Sequence, residues 1–358
     1  MTWLSWRQLR TSVIAVASAL VALFVVLWVS GSQLLHDYDT VVVSCASHHD
    51  CGPVVAHFQA LGHLSHALST LVIVTPILVG VFWGAPLVAR ELESGTYRLA
   101  WTQSVTRSRW IVVRLAMLAG IVVVVTGLLS IAVTWWQSPL DRYNFSPFAN
   151  FDARDLVPVA YAAFALMLGA LLGTVVKRTL VAMAGTIVGF VVVRYLIGQY
   201  LRPYLLTPLR ASSPLQLTLT PSGQSRTINP PNPGAWAISN QTVTPSGRVV
   251  GQSGGIGPNG AADFQVHHGT AVLIGVGKCP NRFPVVPGGS RAHASPAQSR
   301  AAQSALQRCL DSFHLHNLVT YQPTSRYWPL QWYEAAIFVA LALVLGAACV
   351  WAVRRRLP

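Results

Sequence analysis

The side chains able to do chemistry are few in this chain of 358 residues, and none forms a catalytic pattern. There are eleven histidines and five cysteines. His36, His48, His49, His57, His63 and His66 gather near the start of the sequence. Imidazoles at suitable spacing bind zinc or copper. However, no H-E-x-x-H occurs, so solvated or interfacial histidines are the preferred reading and no metal is assigned. No Ser/His/Asp set or paired carboxylate suggests bond chemistry. The phosphate-cradling pattern G-x-x-x-x-G-K-[ST] is absent, and Gly277-Lys278-Cys279 lacks both its first glycine and its hydroxyl residue. Two ionisable residues, Arg194 and Glu334, lie inside strongly apolar stretches. The chain is therefore expected not to be an enzyme.

The elements that must position these residues are membrane spans. Apolar residues make up 53% of the chain and charged ones only 10%, against about a quarter in soluble domains. The net charge of +14 does not indicate nucleic acid. Its arginines are scattered singly or at the edges of apolar runs, with no basic face interleaved with aromatics. Trp3 to Arg10 reads as an interfacial helix. Apolar runs at about 12–35, 67–88, 111–136, 156–176, 179–200 and 329–353 read as six spans. Between them lie a short loop at 36–66, a second at 138–155 and the tight basic turn Lys177-Arg178.

The basic residues order the topology. Arg7, Arg10, Arg90, Arg98, Arg107, Arg109, Lys177, Arg178 and Arg354 to Arg356 all fall on one side, which the positive-inside rule assigns to the cytoplasm. Both termini are then cytoplasmic in a multi-pass plasma-membrane protein. The stretch 201–328, rich in Pro, Gly, Ser, Asn and Thr, is expected outside as a domain long enough to fold. Its portion 203–265 reads as turns and irregular structure. Ala271 to Val276 suits a strand, and Pro296 to Leu310 a short helix. This places Cys45 with Cys51, and Cys279 with Cys309, in an oxidising compartment, where two local disulfides or four free thiols are the alternatives. Gly80-x-x-x-Gly84, Gly169-x-x-x-Gly173 and Gly185-x-x-x-Gly189 permit close helix approach, within one subunit or at a dimer seam.

The loop at 89–110, ARELESGTYRLAWTQSVTRSRW, carries the most sequence information. Glu91 and Glu93, a break at Gly95, and the apolar Tyr97, Leu99 and Trp101 suit an amphipathic surface helix followed by a turn. An ordinary positive-inside loop is the plain alternative. Glu91-x-x-x-Gly95-Thr96, followed about ten residues later by Thr106-Arg107, resembles the first cytoplasmic loop of type-2 ABC transporter permeases. The wording G-T-x-R-L-A-W-T-Q-S-V-T-R resembles an actinobacterial-type branch, as does the closing run Tyr321 to Glu334.

The resemblance implies an all-α polytopic membrane protein. It would comprise an N-terminal interfacial helix and spans 1–5 in residues 1–200, a large mixed or irregular extracellular domain in 201–328, and a sixth span with a basic tail in 329–358. It implies the membrane-spanning subunit of an exporter, acting as a homodimer or with a related permease. ATP and Mg would be bound by a separate ABC ATPase, with no cofactor on this chain. Glu91, Glu93, Gly95, Thr96, Tyr97 and Trp101 would meet that ATPase, with Arg107 and Arg109 at the headgroups. Efflux of a lipid, antibiotic or other amphiphile suits the class. The remaining expectation comes from depth. Arg194 and Glu334 would each sit roughly 8–9 Å inside their helix ends, where a salt bridge between spans five and six relieves the cost of isolated charge.

Overall fold

The computed structural model describes residues 18, 21–32, 52–94, 107–144, 146–214, 217–219, 225–227, 234–253, 264–267, 270–273, 277–280, 304, 307–308 and 311–356. The expected interfacial helix at 3–10 lies outside them. The chain divides into one unit formed by Met1–Leu205 with Trp328–Pro358, and a second formed by Leu206–Tyr327.

The first unit is helical. A short apolar helix, α1 (Val21–Ser32), is followed by α2 (Gly52–Val79), a π turn (Gly80–Gly84) and α3 (Pro86–Ser94). Next come α4 (Arg107–Asn144), a 3-10 segment (Pro147–Ala153), α5 (Val157–Val176) and α6 (Thr179–Leu196). A second π turn (Ile197–Leu201) and a 3-10 turn (Arg202–Tyr204) prolong α6, and α7 (Tyr327–Arg356) ends the chain. Among the described residues five helical stretches are long and apolar enough to cross a membrane: Leu64–Arg90, Arg109–Ser138, Pro147–Val176, Thr179–Tyr204 and Thr324–Arg355. They correspond to the second through sixth expected spans. The described part of the expected first span is the helix α1.

Two expected loops are in fact helical. The stretch read as a loop to His66 is helix from Gly52 onward, and α4 runs on to Asn144 before the 3-10 segment begins. Both stretches mix polar residues into an amphipathic border, so apolar run length alone ends the helices too early.

α5 is the most enclosed span, packed by α2, the first π turn, α3, α4 and α6. Small residues make this possible. A Cβ on Gly84 would stand 2.6 Å from the Leu166 carbonyl oxygen, and one on Gly169 would meet the backbone of Gly80 and Ala85. Gly173 likewise faces the Ala85 carbonyl. Two of the three G-x-x-x-G pairs thus seat two helices of one chain against each other. Gly185 and Gly189 face the Leu172 and Leu168 side chains of α5. α6, by contrast, exposes Leu180, Val181, Val188, Val191, Val192 and Tyr195 along its length.

The second unit is a correction to the reading of 203–265 as irregular. Strands β1 (Leu209–Pro214), β2 (Leu217–Leu219), β3 (Ser225–Thr227), β4 (Trp236–Val243) and β5 (Val249–Ser253) lie in or beside that region. They are followed by β6 (Phe264–His267), β7 (Thr270–Leu273), β8 (Gly277–Pro280) and β9 (His316–Gln322). A four-stranded antiparallel sheet has the order β1-β9-β4-β5, with Leu209 opposite Tyr321 and Trp236 opposite Gln322. β6-β7-β8 form a second sheet and β2-β3 a ribbon. The expected strand at Ala271 to Val276 overlaps β7 as far as Leu273, with 274–276 outside the described residues, as is most of the expected helix at 296–310. Gln322 Nε2 donates to the Leu206 carbonyl at 2.7 Å and Arg326 to that of Thr207 at 2.5 Å, so the ends of the inserted segment are tied to each other.

Candidate functional site: a buried charge cluster and a helix clasp

The cluster begins with the 3-10 segment that carries Asp152. Asp155, just beyond it, adopts a left-handed backbone (φ 62°). Thr134 accepts its N–H at 3.3 Å, and Ser130 donates to its carbonyl at 2.8 Å. Gln331 of α7 accepts from Val157 N–H at 3.1 Å and donates to the Phe151 carbonyl at 3.0 Å, bracing the same corner. Polar side chains of α4 and α7 thus replace the water that a turn at this depth lacks.

Asp152 meets two arginines of one helix. Arg194 and Arg202 are eight positions apart, which places them about 80° apart around a regular α-helix. The π turn Ile197–Leu201 lies between them. Its one extra residue makes the spacing equivalent to seven, so both side chains fall within about 20° of one face. Arg194 Nη2 donates to Asp152 Oδ2 at 3.2 Å, and Arg202 Nη2 donates to Asp152 Oδ1. Arg202 also grips Glu334 of α7 side-on, Nε to Oε2 at 2.5 Å and Nη2 to Oε1 at 2.7 Å. Such forked charge-assisted pairs are the strongest hydrogen bonds that side chains form.

Tyr161 of α5 closes the cluster. Its hydroxyl lies 2.5 Å from Glu334 Oε1, 3.1 Å from Asp152 Oδ1 and 3.0 Å from Arg202 Nη2, whose two protons are shared among Asp152, Glu334 and this hydroxyl. With a single proton, it serves one carboxylate at a time. Its ring packs edge-on to Phe338 at 4.5 Å, beside Phe164 and Phe190. The cluster therefore rests on an aromatic floor. Two guanidinium groups and two carboxylates make it formally neutral, which is how buried charge becomes tolerable in an apolar bundle.

At the opposite end of α6, Glu93 of α3 accepts the Thr179 backbone N–H at 2.9 Å and the Thr179 hydroxyl at 2.5 Å. These bonds, the hydroxyl's foremost, hold the exposed Glu93 carboxyl below its usual range, with Arg178 adding to the effect. A carboxylate accepting the first N–H of a helix is favoured by the helix dipole as well.

A family model described as ABC-2 membrane transporter related matches residues 17–202. The chain belongs to the ABC-2 membrane transporter related family. No curated protein and no solved structure matches. As an ABC-2 type permease, the chain is a multi-pass membrane protein with the clasp and most of the cluster inside the matched region.

The expected site residues of this permease divide unequally. Glu91 and Arg107 have described backbone only, in α3 and α4, and Gly95, Thr96, Tyr97 and Trp101 lie outside the described residues. Arg109 is exposed at the start of a span. Glu93, expected to face an ATPase, is engaged with Thr179. The expected direct Arg194–Glu334 bridge is corrected: Glu334 pairs with Arg202, and Arg194 pairs with Asp152. Both expected residues belong to one cluster, joined through partners that sequence reasoning leaves outside the spans. The signal for Arg202 is its place two residues beyond the assigned end of span five. Asp152 offers none, since it sits in a stretch of ordinary loop composition. Cys45, Cys51 and Cys309 lie outside the described residues, and only the backbone of Cys279, in β8, is described. Cys349 is a buried free thiol 3.3 Å from the Thr174 hydroxyl.

Proposed function

We propose that this chain is the membrane-spanning permease of an ATP-driven exporter of the actinobacterial-type branch, paired through residues 89–110 with a separate cytoplasmic ABC ATPase. It works as a dimer, with a second copy or a related permease. The observation that supports coupling is the Glu93–Thr179 clasp, which joins the helix leading into that loop to the start of α6. ATP and Mg belong to the partner, and this chain supplies no bond chemistry. Glu91, Thr96, Tyr97 and Trp101 receive the ATPase's motion, and Arg107 and Arg109 hold the loop at the headgroups. Glu93 passes the displacement to α6, whose far end carries Arg194 and Arg202. Loosening the cluster there opens the outer end of the pathway.

In this reading the first apolar run completes six spans, both termini are cytoplasmic, and residues 206–327 are extracellular. Cys45–Cys51 and Cys279–Cys309 are then short bridges, which mass spectrometry of unreduced peptides reads directly. Co-purification with the ATPase, and ATPase activity of the complex, test the coupling. Glu91→Arg is expected to leave the permease in the membrane and to abolish transport with substrate-stimulated ATPase activity. Normal stimulation in that variant refutes the coupling role of the loop.

A further inference from the structure

We propose that Asp152 and Arg194 form the lip of a headgroup site for a zwitterionic phospholipid with a primary ammonium, its phosphate on Arg194 and its ammonium on Asp152. The inference rests on the permease reading and names a ligand class for the charged cluster.

The four charges of the cluster are unequally committed. Arg202 and Glu334 share two short bonds, and the Glu334 side chain is fully buried. Asp152 and Arg194 share one bond of 3.2 Å, and their side chains remain 28% and 23% exposed. Among the described residues Arg194 makes no other hydrogen bond. The rest of its N–H donors remain for a ligand. Asp152 is not stranded when Arg194 turns away, because Arg202 still holds its other oxygen. Admitting a ligand thus breaks the weakest contact of the cluster and leaves the buried pair intact.

Charge and surroundings select the ligand. The cluster is neutral, so a lone anion or cation would leave uncompensated charge among apolar helices, which is unfavourable. A zwitterion preserves neutrality. The guanidinium fork fits a phosphate, and the freed Asp152 oxygen accepts from a primary ammonium, whereas a quaternary one offers no N–H. On the same side of α6 as Arg194, Val191 and Tyr195 are exposed, giving acyl chains an apolar flank. Asp152 lies just after Pro147, Arg202 just before Tyr204 and Glu334 near the start of α7. The cluster therefore lies within about three turns of the ends of three membrane-crossing stretches, with Arg194 ten residues before Tyr204, where a headgroup reaches it by dipping below the span ends.

The test uses the full-length protein, delipidated in detergent and titrated with phosphatidylethanolamine, phosphatidylcholine or phosphatidylglycerol of the same acyl chains. Native mass spectrometry reads retention. Phosphatidylethanolamine is expected to be retained about tenfold better than phosphatidylcholine, the scale of one charge-assisted hydrogen bond. Arg194→Gln removes the phosphate partner, which both lipids share, and is expected to lower the retention of both about tenfold. Equal retention of the two lipids by the wild type, preferential retention of phosphatidylglycerol, or unchanged retention in Arg194→Gln each overturn the proposal. Free O-phosphoethanolamine is the competitor. Displacement of the lipid by it at equal concentration overturns the membrane source of the ligand. If Arg194→Gln fails to accumulate, wild-type discrimination among the three lipids decides. Loss of the lipid preference with ATPase co-purification intact refutes this site and leaves the permease reading standing; the converse result refutes that reading alone.

Discussion

The two ends of α6 are held by opposite arrangements. At its start a neighbouring helix lends a carboxylate, Glu93, to the exposed Thr179 N–H and hydroxyl. At its far end the chain continuing from α6 lends a guanidinium, Arg202, to carboxylates of the 3-10 segment and α7. Between these ends α6 is the least enclosed of the five spans. Each attachment is made of two or more short polar bonds, yet they differ in kind. The clasp is wet and can exchange with water at little loss. The cluster is dry, so any partner removed leaves a charge with nowhere to go. A span fixed loosely at one end and firmly at the other suits a lever driven from its loose end.

The largest effect is expected from breaking the firm end. Arg202→Met or Glu334→Leu alone leaves an unpaired charge inside the bundle, at a cost of about 3–5 kcal/mol. Either is expected to lower the thermal midpoint in detergent sharply. The double variant Arg202→Met/Glu334→Leu keeps Asp152 and Arg194 as a neutral pair, so it is expected to recover most of the loss. Losses that simply add would show that the four groups are not one network.

A smaller effect is expected from straining the seam between the two ends. A side chain at Gly84 meets the Leu166 carbonyl, so Gly84→Val is expected to destabilise by about 1–3 kcal/mol through overpacking. A methyl group added at Gly120 would meet nothing within 4 Å, and Gly120→Ala is expected to be neutral or slightly stabilising. Equal midpoints for the two variants would show that the α5 seam is loosely packed, and that the ends of α6 bear more of the load than its neighbours do.

These contrasts follow what is legible in the sequence and what is not. Spans two to six are readable because each carries some twenty apolar residues, and bilayer thickness fixes that length. Glu334 and Arg194 stand out because charge interrupts such runs. Their true partners do not stand out. Arg202 follows Tyr200 past the apparent span end, and a π turn that turns it onto the face of Arg194 leaves no compositional mark. Asp152 becomes intramembrane through the Asp155 corner, held by Ser130 and Thr134 from a distant helix. The sheet of the second unit escapes sequence reading for a related reason. β1 and β4 are completed by β9 at the far end of the insert, and local composition rich in Pro and Gly carries no trace of that pairing.

The smallest effect on stability, and the sharpest test of the comparison, is expected at Glu93. Its carboxyl titrates below the ordinary 4.5 because the Thr179 hydroxyl and N–H favour the charged form. A lowered folded value means the stabilisation is fully present above the unfolded one, and is lost as pH falls through the lowered value. Between about pH 6 and 8, Glu93 is therefore ionised and its contribution does not change with pH. The carboxylate is fully exposed, so water replaces Thr179 readily in Glu93→Ala. That variant is expected to show a wild-type midpoint across this range. If the clasp transmits motion to α6, substrate-stimulated ATPase activity of the complex nevertheless falls several-fold. Glu93→Asp has a shorter reach to Thr179 and is expected to fall in between. A drop in midpoint comparable to that of Arg202→Met would erase the distinction between the two ends. Unchanged stimulation in Glu93→Ala would make the clasp a plain helix cap.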